Sequence, residues 1–211
     1  MDKKLELRRM WYAALAPATL LIIVWMIWLW EWNFDINLQF LGTYPRKFSG
    51  LGGMISQPLV HADIKHLLSN SVPLLILSWC LFFFYKDLGY AVFPILWVFS
   101  GLLTWFIGRE AWHIGASGVV YALIFFLFFS GVFRRHKPLM AISILVVFLY
   151  GSAVWYMFPV VELIKERNIS WEGHLSGAIC GFLCACAVRK YGPQKPIEEE
   201  EEEEEEGDTL I

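Results

Sequence analysis

The chain alternates between long apolar blocks and short polar segments. Six of these blocks approach the length of about 20 residues that an α-helix needs to cross a bilayer. Their approximate bounds are 11–32, 66–85, 90–107, 117–133, 139–158 and 173–188. The region between the first two blocks, 33–65, mixes glycine and proline with apolar residues, which is typical of a loop lying in the membrane surface. The pattern predicts an all-α, polytopic membrane protein built as a six-transmembrane-helix bundle.

The composition supports the same class of protein. Of the 211 residues, 57% are hydrophobic, and the mean hydropathy is +0.52. A soluble domain is typically about 45–50% apolar. Because the excess is concentrated in blocks of membrane-spanning length, the composition argues against a soluble globular enzyme.

Lys and Arg residues divide unevenly between the two sets of connecting segments. With the N-terminus inside, eleven of the 17 lie on inner segments and six on outer ones. Cytoplasmic loops carry an excess of Lys and Arg, so both termini are expected in the cytoplasm. Residues 1–10 then form a cytoplasmic N-terminus, 11–190 the six-span core, and 191–211 a disordered acidic tail. No cleavable signal peptide is evident, and the short form without targeting segments indicates a prokaryotic cell (inner) membrane.

This orientation brings three polar residues to the same side of the membrane. His66, Ser117 and His174 begin the second, fourth and sixth spans, whose N-terminal ends all face outward. Ser117 lies in a Gly-Ala-Ser-Gly run, and such small residues more often serve helix packing than catalysis. A serine needs a base to act as a nucleophile. Gly177 and Gly181 give the sixth span a face for close helix approach, which can carry His174 to Ser117.

A second pair of polar side chains begins on the second span. His66 and Asn70 are separated by four residues and therefore share one face of a helix. They either donate to a developing oxyanion together with the Ser117 N–H, or form an interhelical hydrogen bond that holds the bundle together. His61 precedes this span and is expected to hold the loop against the surroundings of His66.

A catalytic triad and a metal site are the two alternatives to consider on the outer side. The carboxylates there, which lie in loops, leave no obvious third member for a triad, so a Ser–His dyad is the simplest arrangement; they are Glu110, Glu162, Glu166 and Glu172. His113 is a second base candidate, but we interpret it as a loop residue at the water interface. A site of three histidines is less favoured because one of them lies in a loop and no HExxH motif occurs; its members would be His61, His66 and His174. No metal or other cofactor is therefore expected.

The four cysteines lie within apolar segments. They are Cys80, Cys180, Cys184 and Cys186. Cys180 and Cys184 are one helical turn apart, which permits a metal or redox pair, but we interpret all four as small buried hydrophobic residues.

Three short motifs, at the starts of the second, fourth and sixth spans, together resemble the signature of rhomboid intramembrane serine proteases. Residues 115–118 match the GxSG motif of the family, residues 66–70 its HxxxN motif on the second helix, and residues 174–181 its HxxGxxxG motif on the sixth. The motifs occur in the order that the family shows, and the resemblance covers the core at 11–190. It implies that Ser117 is the nucleophile and His174 the general base and then acid.

The resemblance also implies roles for the residues around this pair. His66, Asn70 and the Ser117 backbone N–H would line the oxyanion hole. Tyr121 matches a tyrosine that stacks on the catalytic histidine, and His61 matches a histidine upstream of HxxxN. Small residues would leave room for the sixth helix and a substrate backbone; these are Gly115 and Gly118, with Gly177 and Gly181 on the facing helix.

Two features depart from the family pattern. Rhomboids usually carry a Trp-Arg pair in the first loop, where this chain has Gly52 and Gly53. The Gly-Gly and Glu residues found near the end of the second helix are replaced by the aromatic run 82–85. Both departures concern loop structure and stability, and neither removes a catalytic group.

The resemblance implies an intramembrane serine endopeptidase that cleaves transmembrane segments of membrane proteins through an acyl-enzyme. Its expected partners are such protein substrates and the lipid bilayer, with no nucleic acid, and the oligomeric state stays unspecified. A catalytically silent rhomboid-like protein that binds transmembrane clients is the alternative. A small transporter or channel ranks last, because the charges do not line a continuous path.

Overall fold

The computed structural model describes residues 3–159 and 170–195. Within these ranges the chain is helical, with one isolated antiparallel bridge between Thr43 and His113. The α-helices are α1 (Lys3–Phe34), α2 (Gly53–Ser56), α3 (Ile64–Tyr85), α4 (Asp87–Ile107), α5 (Ser117–Arg134), α6 (Lys137–Tyr150) and α7 (Trp171–Ala187). Short 3₁₀ helices cover Gln39–Leu41, Phe48–Gly50, Gln57–Leu59 and Gly151–Met157. Glu162, Glu166 and the predicted disordered tail beyond residue 195 lie outside the described residues.

Among the residues that the structure describes, five helices are long and apolar enough to cross a membrane: α1, α3, α4, α5, and α6 with the 3₁₀ helix that continues it to Met157. The helix at the sixth predicted span, α7, has 17 residues. At 1.5 Å per residue it is about 25 Å long, near the lower end of the range for a span. It packs chiefly against α5 and α4 inside the bundle. The predicted all-α, six-helix membrane architecture is confirmed.

Most of the long helices begin earlier than the apolar blocks indicated, and α1 and α4 differ most. The first helix starts at Lys3, eight residues before its predicted span, because its charged N-terminal turns continue the same helix. Only Lys86, with φ +52°, separates α3 from α4, where the predicted blocks left residues 86–89 between two spans. Gly89 instead lies inside α4, where a Cβ would come within 2.7 Å of the Leu81 carbonyl oxygen. The missing side chain therefore lets the two antiparallel helices approach at their junction.

The centre of the bundle is the contact between α5 and α7. A Cβ added to Gly177 would collide with the carbonyl oxygen of Gly118, and one added to Gly181 would collide with that of Ala122. The two backbones are thus in direct contact, as small residues allow in membrane helices. This contact places the first turn of α7 beside the first turn of α5.

The loop between α1 and α3 lies along α4. The indole N–H of Trp97 donates to the Ile55 carbonyl at 2.9 Å, and that of Trp105 donates to the Lys47 carbonyl at 2.9 Å. Phe48 points outward with 87% of its surface exposed, which suits contact with lipid. Gly53 packs directly on the Gly42 backbone, so this glycine, where the Trp-Arg pair was expected, tightens the loop.

Candidate active site

The orientation of His174 follows from one hydrogen bond. Its Nδ1 lies 2.9 Å from the carbonyl oxygen of Tyr156. A carbonyl oxygen can only accept, so Nδ1 carries the proton of the neutral ring and donates it. The other nitrogen, Nε2, then keeps its lone pair and is available to accept a proton.

The ring of His174 is fixed from one face by Tyr121. The two rings stack with centroids 4.3 Å apart and planes 10° from parallel. The Tyr121 hydroxyl donates to the Ala153 carbonyl at 2.7 Å. Because Ala153 and Tyr156 belong to the same 3₁₀ helix, Gly151–Met157, this short segment orients both rings. No sequence signal could have identified the Tyr156 carbonyl, since every residue carries one.

Ser117 is the first residue of α5 and is partly exposed. Neither its hydroxyl nor its N–H makes a hydrogen bond within the ranges described, and the first N–H groups of a helix have no partner inside it. The two residues before it are held by the first loop. The Gly115 N–H donates to the Gln57 carbonyl at 2.9 Å, and the Ala116 N–H donates to Nε2 of His61 at 3.3 Å. Ser117 therefore begins its helix from a fixed backbone.

His61 is buried rather than on the surface of its loop, with 2% of its area exposed. Because its Nε2 accepts from Ala116, its proton is on Nδ1. Burial, and then the nearby His66, lowers the pKa of His61 from 6.5 to about 3. The ring packs edge-on against His66, with centroids 5.0 Å apart. His61 thus acts as a neutral acceptor that links the loop, α3 and the start of α5.

His66 and Asn70 converge on Gly115, two residues before Ser117. Gly115 has φ +102°, a conformation that favours glycine, and a Cβ there would lie 2.5 Å from Nε2 of His66 and 3.7 Å from Nδ2 of Asn70. Nδ2 of Asn70 also donates to the His66 carbonyl at 3.1 Å. The amide has a second N–H, so one donor is left for another acceptor.

Backbone contact brings the ends of α5 and α7 together. The position of a Cβ on Gly118 lies 3.4 Å from the carbonyl oxygen of Gly173, the residue before His174. In the described part of the chain no hydrogen bond joins the Ser117 hydroxyl to His174. Catalytic hydrogen bonds are often long without substrate and tighten only in the reacting complex.

The interpretation of His113 as a residue at the water interface is wrong, because only 2% of its surface is exposed. Its Nε2 lies 3.0 Å from the Arg109 carbonyl and must donate, so Nδ1 accepts from the Ser170 hydroxyl at 2.6 Å. The Ser170 oxygen in turn accepts from the Gly173 N–H at 3.2 Å and caps α7. Burial lowers the pKa of His113 below 6.5, which keeps the ring neutral at pH 7.

A partly buried ion pair lies beside this histidine. Glu172, predicted as a loop residue, is in the first turn of α7 and only 3% exposed. Nη1 of Arg109 lies 3.3 Å from its Oε2, and the Arg109 N–H donates to Oε1 at 3.3 Å. Four residues join the loop before α5 to the start of α7. They are Arg109, His113, Ser170 and Glu172, and they are here called the outer clamp. No local sequence pattern predicted these pairings.

The other candidate centres are the metal site and the cysteines. In residues 3–159 and 170–195, no group of three His, Cys, Asp or Glu side chains could hold a metal ion. All four cysteines are free thiols, and Cys80, Cys180 and Cys184 are buried. The latter pair lies on α7 at the end away from His174.

Comparison with known proteins assigns the class to which this fold and site belong. A family model described as the rhomboid domain matches residues 49–191, which include α2 to α7 and the whole candidate site. This match covers more than half of the chain. The chain belongs to the rhomboid family and is a multi-pass integral membrane protein.

Individual relatives agree with this assignment. An uncharacterized protein of Mycobacterium tuberculosis is 36% identical over 157 residues, which is 72% of this chain and 63% of that protein. An uncharacterized protein of Mycobacterium leprae is 33% identical over 145 residues, or 66% of this chain and 57% of that protein. Rhomboid protease GlpG of Haemophilus influenzae is 27% identical over 162 residues, or 72% of this chain and 80% of that protein. The chain therefore spans less than two thirds of the length of these mycobacterial relatives.

Proposed function

We propose that this protein is an intramembrane serine endopeptidase that cleaves transmembrane segments of other membrane proteins. One observation carries the proposal: Nδ1 of His174 donates to the Tyr156 carbonyl, which leaves the basic nitrogen Nε2 free at the end of α7 that touches the start of α5. Rhomboid membership supports intramembrane proteolysis at the level of the family.

In the proposed mechanism, the Ser117 oxygen attacks the scissile carbonyl carbon while Nε2 of His174 takes the hydroxyl proton. The tetrahedral intermediate carries a negative oxygen. His66, the second N–H of Asn70 and the Ser117 N–H are the proposed donors to this oxygen. The side chains of His66 and Asn70 converge on Gly115, two residues before Ser117. When the C–N bond breaks, His174 returns the proton to the leaving amine, and Ser117 remains acylated.

The second half of the reaction repeats the same steps with water. His174 removes a proton from water, which attacks the acyl-enzyme carbonyl. Collapse of this second intermediate breaks the ester bond, and His174 protonates the Ser117 oxygen. The Tyr156 carbonyl holds the ring in one tautomer through both halves, which is the orienting role that a carboxylate plays in a Ser-His-Asp triad.

We infer that both termini lie in the cytoplasm of a prokaryotic cell, with the candidate site toward the outer face. The excess of Lys and Arg on one set of segments supports this orientation. Bacterial relatives support the prokaryotic membrane.

Cleavage of a model transmembrane substrate by the purified protein in liposomes tests the proposal. Ser117→Ala and His174→Ala are each expected to lower kcat by at least about 10³-fold, because nucleophile and base act as a unit. Matched controls are Ser49→Ala, an exposed loop serine, and His136→Ala in the turn before α6; both are expected to retain activity. Unimpaired cleavage by Ser117→Ala would contradict the assignment.

A fluorophosphonate probe distinguishes the protease from a silent relative. Wild type is expected to become labelled at Ser117, and Ser117→Ala is expected to remain unlabelled. A protein that binds a transmembrane client but reacts with no probe would instead be a rhomboid-like binding protein.

A further inference from the structure

A groove of about 500 Å³ runs between α5 and α6, away from the candidate active site. Its volume is within the range of about 300–1,000 Å³ found for ligand pockets. Its apolar lining comes from Phe128, Val132, Met140, Ile144 and Val147. Ile144 is 70% exposed, so the groove opens to the outside of the bundle, where lipid surrounds the protein.

The groove ends at a cation. Arg135, the residue that follows α5, is exposed and is the one charged residue among the described residues that line the groove. No acidic side chain pairs with it within the described ranges. Lys137 lies two residues further in the same turn and is also exposed. The groove is therefore a long apolar channel with a positive charge at one end, where the helices end.

Two polar side chains near this cation already make hydrogen bonds. Arg134 is buried and donates to the carbonyls of Val188 at 2.7 Å and Tyr191 at 2.6 Å. Ser143 lines the groove, but its hydroxyl donates to backbone carbonyls such as that of Phe128, at 2.9 Å. Arg135 is thus the polar group of the lining that remains available to a ligand.

Not every groove on the surface of this bundle ends at a cation, as a second groove shows. It measures about 240 Å³ and lies between α1, α3 and α4. Its lining is Ala16, Pro17, Leu20, Phe82, Tyr90 and Phe93, and it contains no charged residue. Lipid that covers this groove would meet apolar and aromatic surface only.

We propose that the α5–α6 groove binds an anionic glycerophospholipid, with its phosphate on Arg135 and an acyl chain along Ile144 and Val147. The planar guanidinium of arginine matches the oxygens of a phosphate and can bind two of them at once. Basic pockets between transmembrane helices bind anionic headgroups in this way. A zwitterionic headgroup adds a second cation beside Arg135 and is disfavoured. The site is independent of proteolysis.

Native mass spectrometry of the delipidated full-length protein tests this site, with phosphatidylglycerol and phosphatidylcholine of identical chains as the probes. Wild type is expected to bind phosphatidylglycerol about fivefold more tightly or better, the effect of about one cation near an anionic lipid. Arg135→Gln is expected to make the two affinities equal. Val147→Trp, which fills the groove, is expected to weaken binding of both lipids.

Two matched variants serve as controls. Leu20→Trp fills the uncharged groove, and Lys190→Gln removes an exposed cation that follows α7; both are expected to keep the preference for phosphatidylglycerol. Labelling of Ser117 by the fluorophosphonate probe, or an unchanged melting temperature, shows that each variant is folded.

Four outcomes would overturn the proposal. The first is equal affinity of wild type for the two lipids, and the second is a preference that survives Arg135→Gln. The third is equally tight binding of glycerol phosphate without acyl chains, which would show that the apolar groove contributes nothing. An equal loss in Lys190→Gln would assign the effect to diffuse surface charge and would also reject the site.

Discussion

The Ser170 hydroxyl lies 2.6 Å from Nδ1 of His113 and joins two segments that are 57 residues apart. His113 precedes Ser117 by four residues, and Ser170 precedes His174 by four. The hydrogen bond therefore fixes the starts of the two helices that carry the candidate nucleophile and base. The Arg109–Glu172 ion pair reinforces the same connection.

Replacing His113 with phenylalanine should loosen the outer clamp while retaining an aromatic ring. Loss of a buried hydrogen bond with one partner left behind typically lowers the free energy of unfolding by about 1–3 kcal/mol. We expect this loss in thermal unfolding, and about a tenfold lower kcat with little change in KM, because the buried His113 would position the two helix starts rather than bind substrate. His113→Gln, which can still accept from Ser170, should recover part of both. A KM effect without a kcat effect would contradict a positioning role.

The stabilisation by His113 should depend on pH. Burial lowers its pKa in the folded protein, and the facing charges of Glu172 and Arg109 oppose each other. The unfolded chain thus binds a proton at higher pH than the folded chain, so the contribution is complete above about pH 7 and declines below 6.5. We expect the difference in melting temperature between wild type and His113→Phe to shrink from pH 7.5 to 5.5. A constant difference would contradict this.

Gly177→Ala should disrupt the contact between α5 and α7. The added methyl group would collide with the Gly118 carbonyl oxygen, and overpacking a close contact typically costs about 1–3 kcal/mol. We expect a lower melting temperature and slower labelling of Ser117 by a fluorophosphonate. Gly52→Ala is the matched control, because a Cβ at Gly52 meets nothing within 4 Å. Equal stability of the two variants would show that the backbones do not touch.

Two variants of Tyr121 should separate its hydroxyl from its ring. Tyr121→Phe keeps the stack on His174 and loses the hydrogen bond to Ala153, which is typically worth about 0.5–1.5 kcal/mol. Tyr121→Ala removes the stack and leaves a cavity. At a temperature where both are folded, we expect Tyr121→Phe to keep most of the wild-type kcat and Tyr121→Ala to lose at least about tenfold. Equal kcat values would exclude an orienting role for the ring.

Local sequence determined the helical class and the candidate pair of residues. An apolar run of spanning length is a property of neighbouring residues, so helix positions were predicted within a few residues for most spans. Ser117 and His174 stood out for the same reason, since each sits among small residues at the start of an apolar run. The contact between α5 and α7 was predictable from Gly177 and Gly181, which have no side chain to keep helices apart.

Tertiary structure alone decided what orients these residues. The Tyr156 carbonyl that fixes His174 has no sequence signal, because a carbonyl group is present at every position. His113 and Glu172 had the sequence context of loop residues, yet both are buried, since each gained a partner from a segment about 60 residues away. A polar side chain can be buried when packing supplies its hydrogen bonds. Packing between distant segments cannot be predicted from the local sequence pattern.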